Sequence, residues 1–283
     1  MQSIRTSLGE RGFSLVELLV ATTVVSLVLA GGGALFVAGR NYMQDEILLI
    51  ETTQGLRSTL ETLARDLRLG GACLPLNGDF VSLDGTDAAT TDTIVSRTGL
   101  VRPNLSCVQT ALIADMGTSS TTLRVDSVAG FAIGMRALIR HPNGSGESFT
   151  ITGIIESTKR LQKLGSWSQS YPKTSGVYAV DERAYAVNTS NPALPVLTMA
   201  ANGSPPVPFA YGVENLSIQY QLARNCPPCD IVDAPTSTSD DWRLVNQLMI
   251  TATVRSRTPG RNGQYFRRTE TISAKPRNLL PGL

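Results

Sequence analysis

An α+β fold is predicted for this chain, with one long N-terminal helix leading into a head of antiparallel strands. Three observations carry that expectation. No charged residue occurs between Glu17 and Arg40, leucines then recur at helical spacing as far as Leu67, and from about residue 80 the chain breaks into short strand-like runs among Thr, Ser, Gly and Pro.

The uncharged stretch Leu18–Gly39 comes first. A helix of about 22 residues rises about 33 Å, enough to cross a bilayer. A secretory signal would place a small-residue cleavage site after its apolar core; here Ala21 and Ala30 lie inside the run, and the polar-to-apolar junction precedes it at Gly12–Phe13. The chain therefore reads as one that loses a short basic leader, 1–12, and keeps its apolar helix, 13–39. Arg5 and Arg11 precede the span, whereas Arg40 is soon followed by Asp45 and Glu46. That asymmetry predicts a single pass with the N-terminus in the cytoplasm and the head outside it.

Two residue types are out of place in such a span. A carboxylate such as Glu17 costs up to about 3 kcal/mol in hydrocarbon and is a functional suspect by default. Gly31, Gly32 and Gly33 together cost a helix about 3 kcal/mol relative to alanine, and they fit either a locally soft helix or close helix–helix packing.

Beyond Arg40 the helix is expected to continue to about residue 70. Leu49, Thr53, Leu56, Leu60, Leu63 and Leu67 form a 4-3-4-3-4 stripe, and Glu51, Arg57, Ser58, Glu61, Arg65 and Asp66 occupy the other faces. Gly70-Gly71 and then Pro75 supply the stop. A short coiled coil would show the same seam, but packing on the chain's own sheet fits its length of about three heptads better.

The remainder, 71–283, reads as a β-rich head. Runs such as Thr121–Val128 and Phe131–Arg140 suggest many short strands, with 119–156 a possible inserted β-module. Near the C-terminus Leu248, Ile250, Ala252 and Val254 alternate with Met249, Thr251, Thr253 and Arg255. Pro-Gly and Asn-Gly within Ser256–Gln264 predict a hairpin loop, and a partner strand alternates from Tyr265 onward.

The N-terminal "GFSLVELLVA" resembles the processing site of type IV prepilins and type II secretion pseudopilins. The resemblance implies cleavage after Gly12 by a prepilin peptidase, N-methylation of Phe13, and a role for Glu17 in setting subunit register during assembly. It also implies a pilin-like fold and a helix that loosens at Gly31–Gly33 in a filament core. "LETLARDLRLGGA", "YGVENLSIQYQL" and "DWRLVNQLMITATVRSRT" are similar to minor pilins of the PilW type and to J-type pseudopilins. A PilW-type minor pilin would be held in the inner membrane and join other minor pilins, the major pilin, the inner-membrane assembly platform and a tip adhesin. It would prime the pilus and form part of its tip. The alternatives are a J-type pseudopilin and a membrane-anchored binding module that never polymerises.

Four cysteines, Cys73, Cys107, Cys226 and Cys229, allow three pairings, of which Cys73–Cys107 with Cys226–Cys229 is the favoured one outside the cytoplasm. A redox role for Cys226-Pro-Pro-Cys229 would need a helix start after it, and "DIVDAPTSTSDD" follows instead. Zinc would need further soft ligands at paired spacing. With a single histidine, His141, and no nucleophile elbow or phosphate loop, neither an enzyme nor a bound metal or cofactor is expected. The net charge of +2 gives no bulk attraction to nucleic acid, and the basic residues of the last third are expected on a solvated strand face.

Overall fold

The computed structural model describes residues 14–75, 80–235 and 242–276. One helix, α1, runs without a break over Leu15–Arg68, which at 1.5 Å per residue makes it about 81 Å long. Its end is set locally. The Leu69 N–H reaches back to the carbonyls of Arg65 and Asp66 and the Gly70 N–H to that of Leu67, Arg65 and Arg68 place positive charge on the last turn, and Gly71 takes φ +81°. The Gly71 N–H then donates to the Arg97 carbonyl at 2.9 Å, so the turn after the helix is tied directly to a strand.

Among the described residues fifteen strands follow: β1 Leu83–Thr86, β2 Thr93–Gly99, β3 Gln109–Ala111, β4 Thr122–Arg124, β5 Arg136–Arg140, β6 Gly146–Thr150, β7 Gly153–Ile155, β8 Arg160–Gln162, β9 Gly176–Asn188, β10 Val196–Ala201, β11 Val207–Tyr211, β12 Val213–Leu222, β13 Asp230–Val232, β14 Val245–Arg255 and β15 Arg267–Ala274. All their pairings are antiparallel. A four-stranded sheet has the order β13-β12-β14-β15. A larger sheet is organised on β9, which pairs β2 and β10 along its second half and β3 and β5 along its first. A third sheet joins β4, β8 and β7.

The C-terminal half of α1 packs on β14 and β15. Leu56, Leu60, Leu63 and Leu67 are buried against Leu216 and Ile218 of β12 and Leu248, Ile250 and Ala252 of β14. Each such leucine contributes about 1.5–3 kcal/mol on leaving water. The alternation of β14 thus puts its apolar set on the helix, with Met249, Thr251 and Thr253 on the other face. β15 starts at Arg267, two residues after the alternation begins in the sequence. Before it, Ser256 and Phe266 bond each other across the loop, and the Tyr265 ring stacks 4.2 Å from the Arg255 guanidinium.

The buried seam differs from the leucine stripe at both ends. Thr52 and Thr59 are buried while Leu49 and Thr53 are only half-buried, because the head begins to cover the helix at about Thr52. The buried hydroxyls cost little there: Thr52 donates to the Leu48 carbonyl at 2.6 Å and Thr59 to that of Gly55 at 2.7 Å. At the other end Asp66 is not on an outer face, as the sequence led us to expect, but buried.

A second apolar cluster lies in 108–179 and includes Leu123, Ile139, Phe149, Ile151, Leu161, Trp167 and Tyr171. Residues 119–156 supply β4 to β7, and these pair among themselves and with β8 and β9 beyond that range. Cys73–Cys107 joins the turn after α1 to the start of this region across 34 residues, and Cys226–Cys229 closes an exposed loop between β12 and β13.

Candidate functional site: the free half of the helix and its docking onto the head

Gly12 and Phe13 lie outside the described residues, as does the whole leader 1–12. The helix begins just after them with a reciprocal cap. The Ser14 hydroxyl oxygen accepts from the Val16 N–H at 3.3 Å, and the Glu17 carboxylate accepts from the Ser14 N–H at 3.2 Å. Glu17 therefore satisfies a first-turn donor of its own helix, one that would have no water to bond in an apolar setting.

From Ser14 to Arg40 every residue of α1 is exposed. Leu15 is 83 % and Phe36 74 % exposed, whereas Leu63 is 0 %. Apolar side chains surround this half rather than forming one stripe, a pattern that calls for lipid or other helices on all sides. The segment is long and apolar enough to cross a membrane. Its few polar side chains are internally satisfied. Thr22 and Thr23 donate to the Leu19 carbonyl, both at 3.0 Å, and Ser26 to that of Thr22 at 2.7 Å, so none needs water. The helix is regular through Gly31, Gly32 and Gly33, and nothing lies within 4 Å of where a side chain there would begin.

The docked half is held by more than apolar contact. Asp66 receives the Tyr185 hydroxyl of β9 and the Arg183 Nη1 at 2.8 Å, and Arg183 also pairs with Asp181 at 3.0 Å. Burial, reinforced by the neighbouring carboxylate, pushes the Tyr185 phenol far above its ordinary value. The backbone of Asp66 takes part as well, its carbonyl accepting from the buried Ser96 hydroxyl at 3.2 Å. A second buried acid, Asp92, links the two large sheets by accepting the Ile218 N–H at 2.6 Å, and burial raises its pKa despite that bond. Neither acid was identified from sequence as structural. The available signal is Thr52–Thr59–Asp66, a heptad row beside the leucines.

The remaining sequence candidates are placed as follows. All four cysteines are in disulfides, and among the described residues no group of three His, Cys, Asp or Glu could hold a metal ion. Several of the C-terminal arginines are paired. Arg267 reaches Glu214 through two nitrogens at 2.7 and 3.1 Å, and Arg255 reaches the same carboxylate at 3.3 Å.

A family model described as the prokaryotic N-terminal methylation motif matches residues 8–33. No curated protein matches the sequence. Among solved structures, the chain is similar to the type IV-like pilin TTHA1219 from Thermus thermophilus, at 13 % identity over 80 % of this chain and 97 % of that one, with a TM-score of 0.38. Residues 8–33 thus carry the motif of prepilin-type proteins, and its apolar part coincides with the half of α1 that the head leaves bare.

Proposed function

We propose that this chain is a minor pilin of a type IV pilus, similar to the PilW type, that primes filament assembly and takes a place in the tip complex. A prepilin peptidase cuts between Gly12 and Phe13, the new N-terminus is methylated, and the head stands outside the inner membrane on the docked half of its helix. The carrying observation is the coincidence of the methylation motif at 8–33 with an apolar half-helix that has no partner among the described residues. In the membrane lipid surrounds that half; in a filament other pilin helices replace the lipid, and Glu17 sets the register. The Cys73–Cys107 bridge and the Asp66 junction support the same reading, since they keep the head fixed on a rod that is moved from lipid into a bundle.

Intact-mass analysis of the protein from a peptidase-competent strain tests the first half of this proposal. Loss of residues 1–12 with a methyl group on Phe13 is expected, and an unprocessed N-terminus overturns it. Co-purification from detergent-solubilised membranes tests the second half. Sister minor pilins, the major pilin, the assembly platform and an adhesin are expected, whereas recovery of secretion-system components assigns the chain to the J-type pseudopilins instead.

A further inference from the structure

A cleft of about 640 Å³ opens on the head at the first half of β9, and α1 contributes nothing to its lining. Its floor is three strands in register. Gln109 of β3 lies opposite Tyr178 of β9, and Arg140 of β5 lies opposite Gly176 on the other side. Thr174 and Pro142 close the rim.

Tyr178 and Gly176 are two residues apart on one strand and so face the same side. A Cβ at Gly176 would stand 2.7 Å from the Tyr178 Oη and 2.8 Å from its Cε2, so the ring lies down across the glycine backbone instead of standing off the sheet. Its packing beside Leu74, Leu138, Val180 and Phe80 holds it in that pose, half-buried. The result is an aromatic platform in an open, polar cleft.

We propose that this cleft binds a neutral pyranose of a glycan. The C–H face of a sugar ring stacks on an aromatic plane, while its hydroxyls need planar donors and acceptors at the edges. The Gln109 amide is such a planar group, the Thr174 hydroxyl adds a rotatable donor and acceptor, and bridging water suits so open a site. Among the described residues the lining contains no carboxylate, whereas glycoside hydrolysis works with a pair of them, so the site is proposed as one that holds a sugar rather than cleaves it. Among the described lining residues Arg140 is the one cation, which falls short of the run of positive charge that a nucleic-acid backbone needs. The proposal stands apart from the assembly reading, because the cleft remains open whatever surrounds the apolar half of α1.

The test uses the full chain in a detergent that carries no sugar headgroup. It is applied to an array of neutral hexose and N-acetylhexosamine oligosaccharides, with uronic-acid oligosaccharides and single-stranded oligonucleotides alongside. Saturable binding to a neutral series is expected. Tyr178→Ala should weaken it about tenfold and Tyr178→Phe less than about threefold. Gly176→Ala, which keeps the ring but forces it off the backbone, should also weaken it about tenfold. Gln109→Ala changes an exposed side chain and provides a loss-of-binding variant should Tyr178→Ala fail to fold. No retention of neutral sugars, retention of acidic sugars or oligonucleotides alone, or binding unchanged in Gln109→Ala and Gly176→Ala overturns the proposal.

Discussion

Tyr185 donates its hydroxyl to Asp66, tying the second half of β9 to the last turn of α1 across 119 residues of sequence. Both groups are buried, and Arg183 balances the carboxylate from the exposed side. Removing one partner strands the others. Tyr185→Phe should cost about 1–2 kcal/mol, and Asp66→Ala, which leaves a buried hydroxyl and a guanidinium without their acceptor, about 2–4 kcal/mol. Urea unfolding of the full chain in micelles measures both. A double-mutant cycle that gives no coupling between the two sites would show the bond to be incidental.

Leu63 is fully buried between α1 and the four-stranded sheet, so Leu63→Ala should destabilise the head by about 2–5 kcal/mol. Thr59→Val offers the contrast. The Thr59 hydroxyl bonds only a carbonyl of its own helix, and its loss should change stability by less than about 1 kcal/mol. Equal costs at the two positions would mean that the docking surface lies elsewhere on the helix.

The long helix and the β14–β15 hairpin were legible because each has one simple period. Leu56, Leu60, Leu63 and Leu67 fall on a single stripe, and Leu248 to Val254 alternate strictly. Asp66 escaped that reading because a buried acid and a solvated one look alike until its partners are known, and those partners, Tyr185 and Arg183, are set by strand pairing far along the chain. The region 108–179 was legible as short strands with a possible inserted module over 119–156, but its attachment was not. Its connection to the main sheet runs through β5 and β9, whose register comes from long-range pairing rather than from any local turn. The cleft at Tyr178 depends on that same pairing, since Gln109 and Arg140 meet only across β9.

Cys73–Cys107 closes a loop of 34 residues between the helix terminus and the second apolar cluster. Replacing both cysteines by serine should lower stability by about 3–4 kcal/mol in the chain-entropy account. Cys226–Cys229 spans three residues in an exposed loop, so its loss should be felt far less. Melting curves of the two double variants, run with and without reductant, decide this. A larger drop for the Cys226/Cys229 variant would contradict the assignment.

Stability should fall in alkali. Burial pushes the Tyr171 phenol up to about 12 from an ordinary 10, and burial raises Tyr185 and Tyr220 as well. A phenol that ionises later in the folded chain than in the unfolded one supports folding while it stays neutral. Its contribution is therefore complete below about pH 10 and disappears as pH climbs through the folded-state value. For Tyr171 the two-unit rise corresponds to about 2–3 kcal/mol. The phenolate absorbance of Tyr171, Tyr185 and Tyr220, taken by difference from the Tyr→Phe variant at each position, should appear together with unfolding above pH 10, and phenolate from these three rings at pH 10 with the fold intact would contradict their burial.

Glu17 offers two functions to separate, a cap for its own helix and a charge available to a partner. Glu17→Ala removes both, yet the apolar run from Leu18 is untouched, so membrane insertion should be normal while incorporation with sister pilins falls. Glu17→Gln keeps an oxygen that can accept the Ser14 N–H but carries no charge. If pairing with the amine created at Phe13 sets register, the glutamine variant should assemble as poorly as the alanine variant, although its first turn stays capped. Immunodetection of each variant in membrane and in sheared filament fractions distinguishes the cases. Normal assembly of Glu17→Gln alongside failure of Glu17→Ala would make the cap, rather than the charge, the reason this acid lies at the start of an apolar helix.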